Sequence, residues 1–258
     1  MSHTTKNAAG KVAIVTGGSR GIGRDTVLRL AARGVRTIFT FRSNRAEADA
    51  VVALTREAGA PGIALELDTG VASSFDGFVA RASEALATMG ADRFDFLVNN
   101  AGISSTASFT EGTEHELDAQ FAVHFKGVFL LTQKLLPLIR DGGRIVNISS
   151  GLARFAFPNR AVYGSMKAAV EVLTRYMALE LGPRRISVNV VAPGPIATDF
   201  SGGILRDNPQ VNKAVADQTA LGRVGLAEDV GPVIAGLLSD EFGWVNAQRI
   251  EVAGGIHI

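Results

Sequence analysis

A tyrosine and a lysine four residues apart, Tyr163 and Lys167, lie in a segment with helical periodicity. Residues with this spacing share one face of a helix, so their side chains are neighbours. A tyrosine hydroxyl ordinarily has a pKa of about 10, and a neighbouring ammonium group stabilises the phenolate and lowers that pKa. The pair therefore predicts proton transfer by Tyr163 with help from Lys167, although two exposed side chains on a surface helix can have the same spacing.

A glycine-rich stretch, Thr16 to Gly23, reads TGGSRGIG and stands between a first apolar strand and a helical segment. Glycines let a backbone turn sharply and approach a pyrophosphate, and the free N–H groups at the start of the next helix attract negative charge. The position predicts a dinucleotide site. A tight strand-to-helix turn without a ligand remains the alternative at this point.

The same residues also fit the G-x-S-x-G pattern of a hydrolase nucleophile, with Ser19 at its centre. A nucleophile of that kind requires an oxyanion loop from an earlier strand, followed by an acid and a histidine later in the chain. The motif follows the first predicted strand directly, so no earlier strand is present to supply that loop. A serine hydrolase is therefore a remote alternative.

Two arginines stand where the ribose 2′ position of a dinucleotide is expected. An acidic residue at the end of the second strand is typical of NAD sites, whereas arginine accommodates the 2′-phosphate of NADP. This strand ends in FTFRSN, with Arg42 and no carboxylate, and Arg20 lies within the glycine turn. The placement favours NADP(H), unless both arginines are ordinary surface charges.

These residues require a framework of alternating strands and helices. Helical periodicity ended by glycine appears at Arg24–Arg33, Arg45–Glu57, Ser73–Met89 and Val162–Leu181. Alternating units favour parallel strands with right-handed crossovers, so the prediction is an α/β, Rossmann-type, doubly wound sheet of about seven strands in a single domain over residues 11–258. The predicted strands are Val12–Thr16, Arg36–Thr40, Gly62–Glu66, Phe96–Asn99, Arg144–Ser149, Ser187–Val191 and Arg249–Val252.

Two segments outside the alternating pattern have predictions of their own. Residues 1–10 are polar and are expected to form a flexible tail, without the apolar core of a secretory signal. The stretch Gly194 to Arg223 is rich in glycine and proline, and a long irregular loop of this kind is often a lid, here placed near residues 195–223.

The composition excludes several classes of function. The chain has 26 Lys and Arg against 25 Asp and Glu and no basic run, which argues against nucleic-acid binding. It has no cysteine, and its histidines lack metal-ligand spacing, so neither thiolate chemistry nor a metal site is predicted. The longest apolar stretch, Gly127 to Ile139, is too short for a membrane span. A cytoplasmic location without a membrane partner is the default expectation.

Several motifs, spread over nearly the whole chain, together resemble those of the short-chain dehydrogenase/reductase family. The overall sequence pattern is similar to that of 3-oxoacyl-carrier-protein reductases and related carbonyl reductases. The motifs are Thr16-Gly17-x-x-x-Gly21-x-Gly23, Leu67-Asp68, Asn99-Asn100-Ala101-Gly102, Asn147-Ile148-Ser149-Ser150, Tyr163-x-x-x-Lys167, Pro193-Gly194 with Thr198, and Gly254-Gly255.

The resemblance implies hydride transfer from NADPH to a ketone or other carbonyl, with reversal to the alcohol also possible. It implies that Ser150 binds the substrate carbonyl oxygen, that Tyr163 protonates the alkoxide, and that Lys167 also binds the nicotinamide ribose. Asp68 is expected to bind the adenine and Thr198 the nicotinamide end. The full cofactor site it implies is Gly17, Ser19, Arg20, Gly21, Ile22, Gly23, Arg42, Ser43, Asp68, Thr69, Asn99, Ala101, Gly102, Tyr163, Lys167, Pro193, Gly194, Ile196 and Thr198.

The chain departs from the family pattern at His124, where the family places an asparagine that holds a water on a proton relay to the lysine. An imidazole also donates, accepts and shuttles protons, and it can titrate near neutral pH. His124 is therefore a fourth candidate catalytic residue. The alternative is a buried histidine with the relay lost, in a catalytically weak dinucleotide-binding protein.

Apolar residues near the catalytic motifs suggest the substrate pocket and the assembly. We expect Ser150, Phe155, Phe157 and Phe200, with Arg154, Pro158 and Ile204 nearby, to surround a small carbonyl or alcohol substrate. Helix Val162–Leu181 and the segment Glu116–Ile139 are more apolar than one sheet face requires. With the family resemblance, this predicts a homotetramer.

Overall fold

The computed structural model describes residues 10–258. The predicted flexible tail, apart from Gly10, lies outside the described residues. Within them, seven parallel strands form one sheet in the order β3-β2-β1-β4-β5-β6-β7. The prediction of a Rossmann-type doubly wound sheet is confirmed. The strands are β1 Val12–Val15, β2 Arg36–Phe41, β3 Ile63–Glu66, β4 Phe94–Asn99, β5 Ile139–Ile148, β6 Ser187–Pro193 and β7 Arg249–Val252.

Helices connect the strands and cover both faces of the sheet. The first, α1, begins at Gly21 rather than at the predicted Arg24, because the last glycines of the turn form its first turn. The helices are α1 Gly21–Ala31, α2 Arg45–Glu57, α3 Phe75–Thr88, α4 Glu114–Phe121, α5 Gly127–Leu135, α6 Ala161–Leu181, α7 Ile204–Asp207, α8 Pro209–Ala216 and α9 Ala227–Leu237. A π-helical turn, Ala122–Lys126, joins α4 to α5.

The alternation of side chains along the strands divides the core into two layers. Ala13 and Val15 of β1 point to one face and pack with residues of α1, α2 and α9, whereas Val12 and Ile14 point to the other and pack with α3, α5 and α6. Both faces are covered, so β1, in the middle of the sheet, is buried and apolar at all four positions. This rigid sheet fixes where the strand ends lie.

The segment 194–223, predicted to be one irregular loop, instead contains α7 and α8. Helix α8 begins where Asn208 Oδ1 accepts hydrogen bonds from the N–H groups of Gln210 at 3.0 Å and Val211 at 3.1 Å, with Pro209 in the first helical turn. This cap was not predicted from the sequence. Among residues 10–258, none of the helices is both long and apolar enough to cross a membrane.

Candidate functional site

A cleft of about 800 Å³ opens at the carboxyl ends of the strands. The strand order reverses between β1 and β4, and ligands of doubly wound sheets bind at this switch point. Its volume lies within the range of about 300–1,000 Å³ that is usual for small-molecule sites. Of the predicted catalytic and cofactor-binding residues, all except Asn99 line this cleft.

The glycine turn forms the wall of the cleft between β1 and α1. Gly17 has φ +66° and Gly21 φ +53°, a region that favours glycine. A Cβ at Gly23 would lie only 2.1 Å from the Gly17 carbonyl oxygen. The turn therefore depends on glycine for its shape, and it presents the N-terminus of an eleven-residue helix to the cleft, as a pyrophosphate requires.

The adenosine end of the predicted cofactor site has two exposed arginines. Arg20 and Arg42 both line the cleft, with Ser43 beside Arg42. Asp68 and Thr69 line it from the end of β3, and Asp68 Oδ1 accepts a hydrogen bond of 2.8 Å from the Gly70 N–H. The structure thus brings together residues far apart in the chain with the chemistry to hold a phosphorylated dinucleotide.

Asn99 does not reach the cleft, and Asn100 does. The Asn99 amide lies below the cleft floor, where it donates to Thr132 Oγ1 at 3.0 Å and to Asn147 Oδ1 at 2.8 Å. Asn100 Nδ2 donates to the carbonyl oxygens of Thr16 at 2.9 Å and Gly17 at 3.0 Å. Alternation along β4 turns Asn99, the last strand residue, into the core, so the next residue, Asn100, holds the glycine turn in place. Asn100 was not among the predicted site residues.

Ser150 follows β5 and faces the cleft. Its hydroxyl oxygen accepts a hydrogen bond of 3.2 Å from the Leu152 N–H. A hydroxyl has one hydrogen to donate, and this bond leaves it free for a carbonyl oxygen in the cleft. The preceding Ser149 points into the protein, where it donates to Glu171 Oε1 at 2.6 Å. The choice of Ser150 over Ser149 agrees with this geometry.

Tyr163 and Lys167 lie on α6 facing the cleft, with the Lys167 Nζ 5.6 Å from the centre of the Tyr163 ring. Burial raises the pKa of Tyr163 to about 12, and the Ser150 hydroxyl acts in the opposite direction. Burial lowers the pKa of Lys167 to about 7. Its Nζ donates to the Ile148 carbonyl oxygen at 2.8 Å.

The expectation that Lys167 lowers the pKa of Tyr163 is therefore not seen in the protein alone. Lys167 is itself removed from water, so a large part of its charge is lost at neutral pH, and burial dominates the pKa of the tyrosine.

His124 lies in the π-helical turn, 1% exposed, with its ring edge-on to Tyr163 at 5.3 Å between ring centres. Its Nε2 lies 2.8 Å from the Ile103 carbonyl oxygen and 3.3 Å from the Ile103 nitrogen. With a proton on Nε2 the ring donates to the carbonyl oxygen, and without one it accepts from the N–H. The buried Nδ1 has no hydrogen-bond partner among the described residues. Burial, and secondarily the charge of Lys167, lower the pKa of His124 to about 3. It is thus neutral at physiological pH, in contrast to the expectation of titration near neutrality.

Aromatic rings surround the end of the cleft beyond Tyr163. Phe200 lies 5.9 Å from the Tyr163 ring, and Phe155 lies 4.6 Å from the ring of His257, between ring centres. Phe157 and Ile204 also line this end. Arg154 and Pro158, expected here, do not line the cleft. His257 had no predicted role, because nothing in its local sequence shows that the chain terminus returns to the site.

The sequence matches a family profile described as enoyl-(acyl carrier protein) reductase over residues 17–257. A tetrahydroxynaphthalene reductase of Pestalotiopsis fici is 35% identical, with 96% of this chain and 91% of the relative covered. The chain belongs to the short-chain dehydrogenase/reductase family. This confirms the family resemblance and excludes the serine hydrolase.

Solved structures of short-chain dehydrogenase/reductases have the same architecture. The promiscuous reductase LugOII, which catalyses keto-reduction at C1 during lugdunomycin biosynthesis, is 38% identical with a TM-score of 0.92, covering 97% of this chain and 98% of that one. The landomycin C-6 ketoreductase LanV with bound NADP and rabelomycin is 32% identical with a TM-score of 0.88, covering 98% of each chain. The prediction of an oxidoreductase that acts on carbonyl groups is confirmed at the level of the family.

Proposed function

We propose that this protein reduces a ketone with NADPH, using Ser150, Tyr163 and Lys167. The observation that carries the proposal is that one continuous cleft has Arg20 and Arg42 at one end and these three residues at the other. A dinucleotide is long enough to connect two such ends, with its phosphates at the glycine turn between them.

The cofactor's adenosine part would lie against Arg42, Ser43, Asp68 and Thr69, with its pyrophosphate at the start of α1. The guanidinium groups of Arg20 and Arg42 suit the 2′-phosphate of NADPH better than the 2′-hydroxyl of NADH. The nicotinamide end would be held by Gly102, Pro193, Gly194, Ile196 and Thr198, which line the cleft beside the catalytic residues. When bound, NADPH supplies the hydride that reduces the carbonyl carbon.

The protein's own side chains would bind the carbonyl oxygen of the substrate and protonate it. Ser150 donates a hydrogen bond to that oxygen, and Tyr163 Oη supplies the proton that turns it into a hydroxyl. With a pKa of about 12, Tyr163 holds its proton throughout the neutral range, as a general acid must before the reaction. Lys167 binds ribose hydroxyls and restores the proton to Tyr163.

His124 would take the place of the family's relay asparagine as a neutral hydrogen-bonding group. In the tautomer with the proton on Nε2, the buried Nδ1 is a free acceptor on a ring that lies edge-on to Tyr163, 5.3 Å between ring centres. Such an acceptor suits a bridging water and needs no change of charge. The relay is therefore proposed to operate without titration of His124.

The aromatic end of the cleft favours a flat, fused-ring ketone. Offset or edge-on contacts with Phe155, Phe157, Phe200 and His257 would hold such a ring system while Ser150 binds its carbonyl oxygen. The relatives support this class, because one is named for tetrahydroxynaphthalene and another is solved with rabelomycin. Phe157 and Phe200 are half-exposed, so a bound ring would cover them.

NADPH oxidation measured with fused-ring ketones, β-ketoesters, quinones and an enoyl thioester tests the proposal. We expect turnover of a fused-ring ketone, with losses of at least about 100-fold in Tyr163→Phe and Ser150→Ala. The double variant Arg20→Ala, Arg42→Ala should raise the Kd for NADPH by more than about tenfold and leave that for NADH nearly unchanged, since each charged hydrogen bond to phosphate contributes about 1.5–3 kcal/mol.

Two results would contradict the proposal. Reduction of the enoyl thioester alone would replace ketone reduction by reduction of a carbon–carbon double bond. Tight NADPH binding without turnover of any compound would indicate the catalytically weak dinucleotide-binding protein, and a large gain of turnover in His124→Asn would trace that weakness to the lost relay.

A further inference from the structure

A row of four charged side chains of alternating sign lies beneath the catalytic serine, outside the cleft lining. Arg249 Nε contacts Glu171 Oε1 at 2.7 Å, and Arg249 Nη1 contacts Glu251 Oε2 at 3.0 Å. The same Glu251 oxygen accepts from Arg154 Nε at 2.9 Å. The two positive and two negative charges balance. None of the four residues belongs to the motifs by which the chain resembles its family.

The row makes direct contact with the backbone of the catalytic serine. Arg249 Nη2 donates to the Ser150 carbonyl oxygen at 3.3 Å. On its other side, Glu171 Oε1 accepts the hydroxyl of Ser149 at 2.6 Å. Arg249 and Glu171 together therefore hold both serines at the end of β5, one by its carbonyl and the other by its side chain.

These contacts are largely removed from water. The side chains of Arg249, Glu171 and Glu251 are 24%, 14% and 25% exposed. Arginine is suited to this place because its planar guanidinium makes several hydrogen bonds at once in fixed directions. Ion pairs of this kind contribute little net stability, and removing one partner leaves the others poorly satisfied. Their consequence here is geometric, since they fix the peptide from which the Ser150 hydroxyl projects.

The far end of the row holds the chain terminus against the substrate end of the cleft. Arg154 Nη2 lies 3.5 Å from the Ile256 carbonyl oxygen and 3.3 Å from that of His257. The ring of His257 packs on Phe155, which also lines the cleft. The serine and one wall of the substrate pocket are thus connected through Arg249, Glu251 and Arg154.

We propose that Arg249 is a positioning residue for Ser150. Through Glu251 and Arg154 it also fixes the position of the cleft wall formed by Phe155 and His257 relative to that serine. This inference depends on the proposed ketone reduction. A hydrogen-bond donor misplaced by about 1 Å can cost about 100-fold in rate, so a support that never contacts substrate can control turnover.

A double-mutant cycle separates positioning from general stabilisation. Arg249→Met should lower kcat/KM by about 10- to 100-fold in the wild-type background, mainly through kcat, with the Kd for NADPH changed less than about twofold. In a Ser150→Ala background the same change should cost less than about twofold, because no hydroxyl remains to be positioned. Arg249→Lys keeps the charge without the planar geometry, and it should recover only part of the loss.

Arg144→Met is the matched control. Arg144 is also a mostly buried arginine, and it also donates to a backbone carbonyl, that of Leu238 at 3.2 Å, and to a carboxylate, that of Asp240 at 3.1 Å. It lies in the middle of β5, six residues before Ser150, and is not part of the cleft lining. We expect Arg144→Met to lower the urea midpoint of unfolding and to leave kcat/KM within about twofold.

An equal loss for Arg249→Met in both backgrounds, or equal effects of Arg249→Met and Arg144→Met on kcat, would overturn the inference. If Arg249→Met fails to fold, Glu171→Gln removes the charge that holds Arg249 and Ser149, and it must give the same non-additivity with Ser150→Ala. A Ser150→Ala variant as active as wild type would instead contradict the proposed function itself, which keeps the two failures distinct.

Discussion

His124 illustrates how burial decides what a titratable residue can do. An exposed imidazole with a pKa near 6.5 would change charge in the physiological range. Here the folded protein lowers that pKa to about 3 by removing the ring from water, and the nearby Lys167 adds to the effect. His124, which the sequence predicted to be a pH-dependent relay, is a hydrogen-bonding group that stays neutral throughout the physiological pH range.

This environment predicts a loss of stability in acid. Since the folded-state pKa of His124 lies below its unfolded value, the unfolded chain takes up a proton first as the pH falls below about 6.5. The free energy of unfolding should therefore fall between about pH 6.5 and pH 3. At pH 5, protonation of His124 in the unfolded chain should lower the free energy of unfolding by about 2 kcal/mol.

Urea unfolding of wild type and His124→Asn at pH 7.5 and pH 5 measures the effect. We expect the wild type to lose about 2 kcal/mol more than the variant between these two pH values. His115→Asn changes an exposed histidine on α4 and serves as the control. We expect this variant to lose as much free energy of unfolding between the two pH values as the wild type. Equal losses in wild type and His124→Asn would show that the imidazole is not neutral as inferred.

At the scale of elements, the helices after β6 form one wall of the substrate end of the cleft. Val211 and Val215 of α8 line the cleft, and the helix starts at the cap provided by Asn208. We propose that this segment is the substrate lid. A short helix depends strongly on its cap, because few other contacts fix its first turn.

Asn208→Ala should destabilise α8 by about 1 kcal/mol and raise KM for the ketone several-fold, with NADPH binding unchanged. Steady-state kinetics and NADPH titration give the two values separately. Thr113→Ala removes a comparable cap, whose hydroxyl oxygen accepts from the Glu116 N–H at 3.2 Å on α4, outside the cleft lining. If both variants raise KM equally, the effect is not that of a lid.

At the scale of the whole molecule, one surface is more apolar than a monomer requires. Tyr176 and Leu179 of α6 are 61% and 76% exposed, Phe121 of α4 is 42% exposed and Phe129 of α5 is 43% exposed. Helix α4 packs against α6. These four residues define the α4–α6 surface. Exposed apolar groups on adjoining helices are typical of protein interfaces, and we propose that this surface joins subunits of a homotetramer.

Leu179→Lys should break that contact, because a charge would have to be buried without a partner. Sedimentation velocity should show a tetramer for wild type and smaller species for the variant. Val71→Lys changes a half-exposed apolar residue that is not one of these four and should leave the sedimentation coefficient unchanged. A monomeric wild type would contradict the proposed assembly.

The sequence alone predicted the sheet, the glycine turn, the candidate cofactor arginines and the Tyr163–Lys167 pair, because those features depend on local periodicity and on short spacing. Ser150 was predicted from the resemblance to the family. The tertiary structure decided what depends on burial and on contacts between distant segments. It turned Asn99 into the core and Asn100 toward the glycine turn, removed Lys167 and His124 from water, brought His257 into the cleft, and joined Arg249 to Ser150 across 99 residues of chain. Desolvation and long-range contact leave no periodic signal in a sequence, and they set the protonation and orientation of this site.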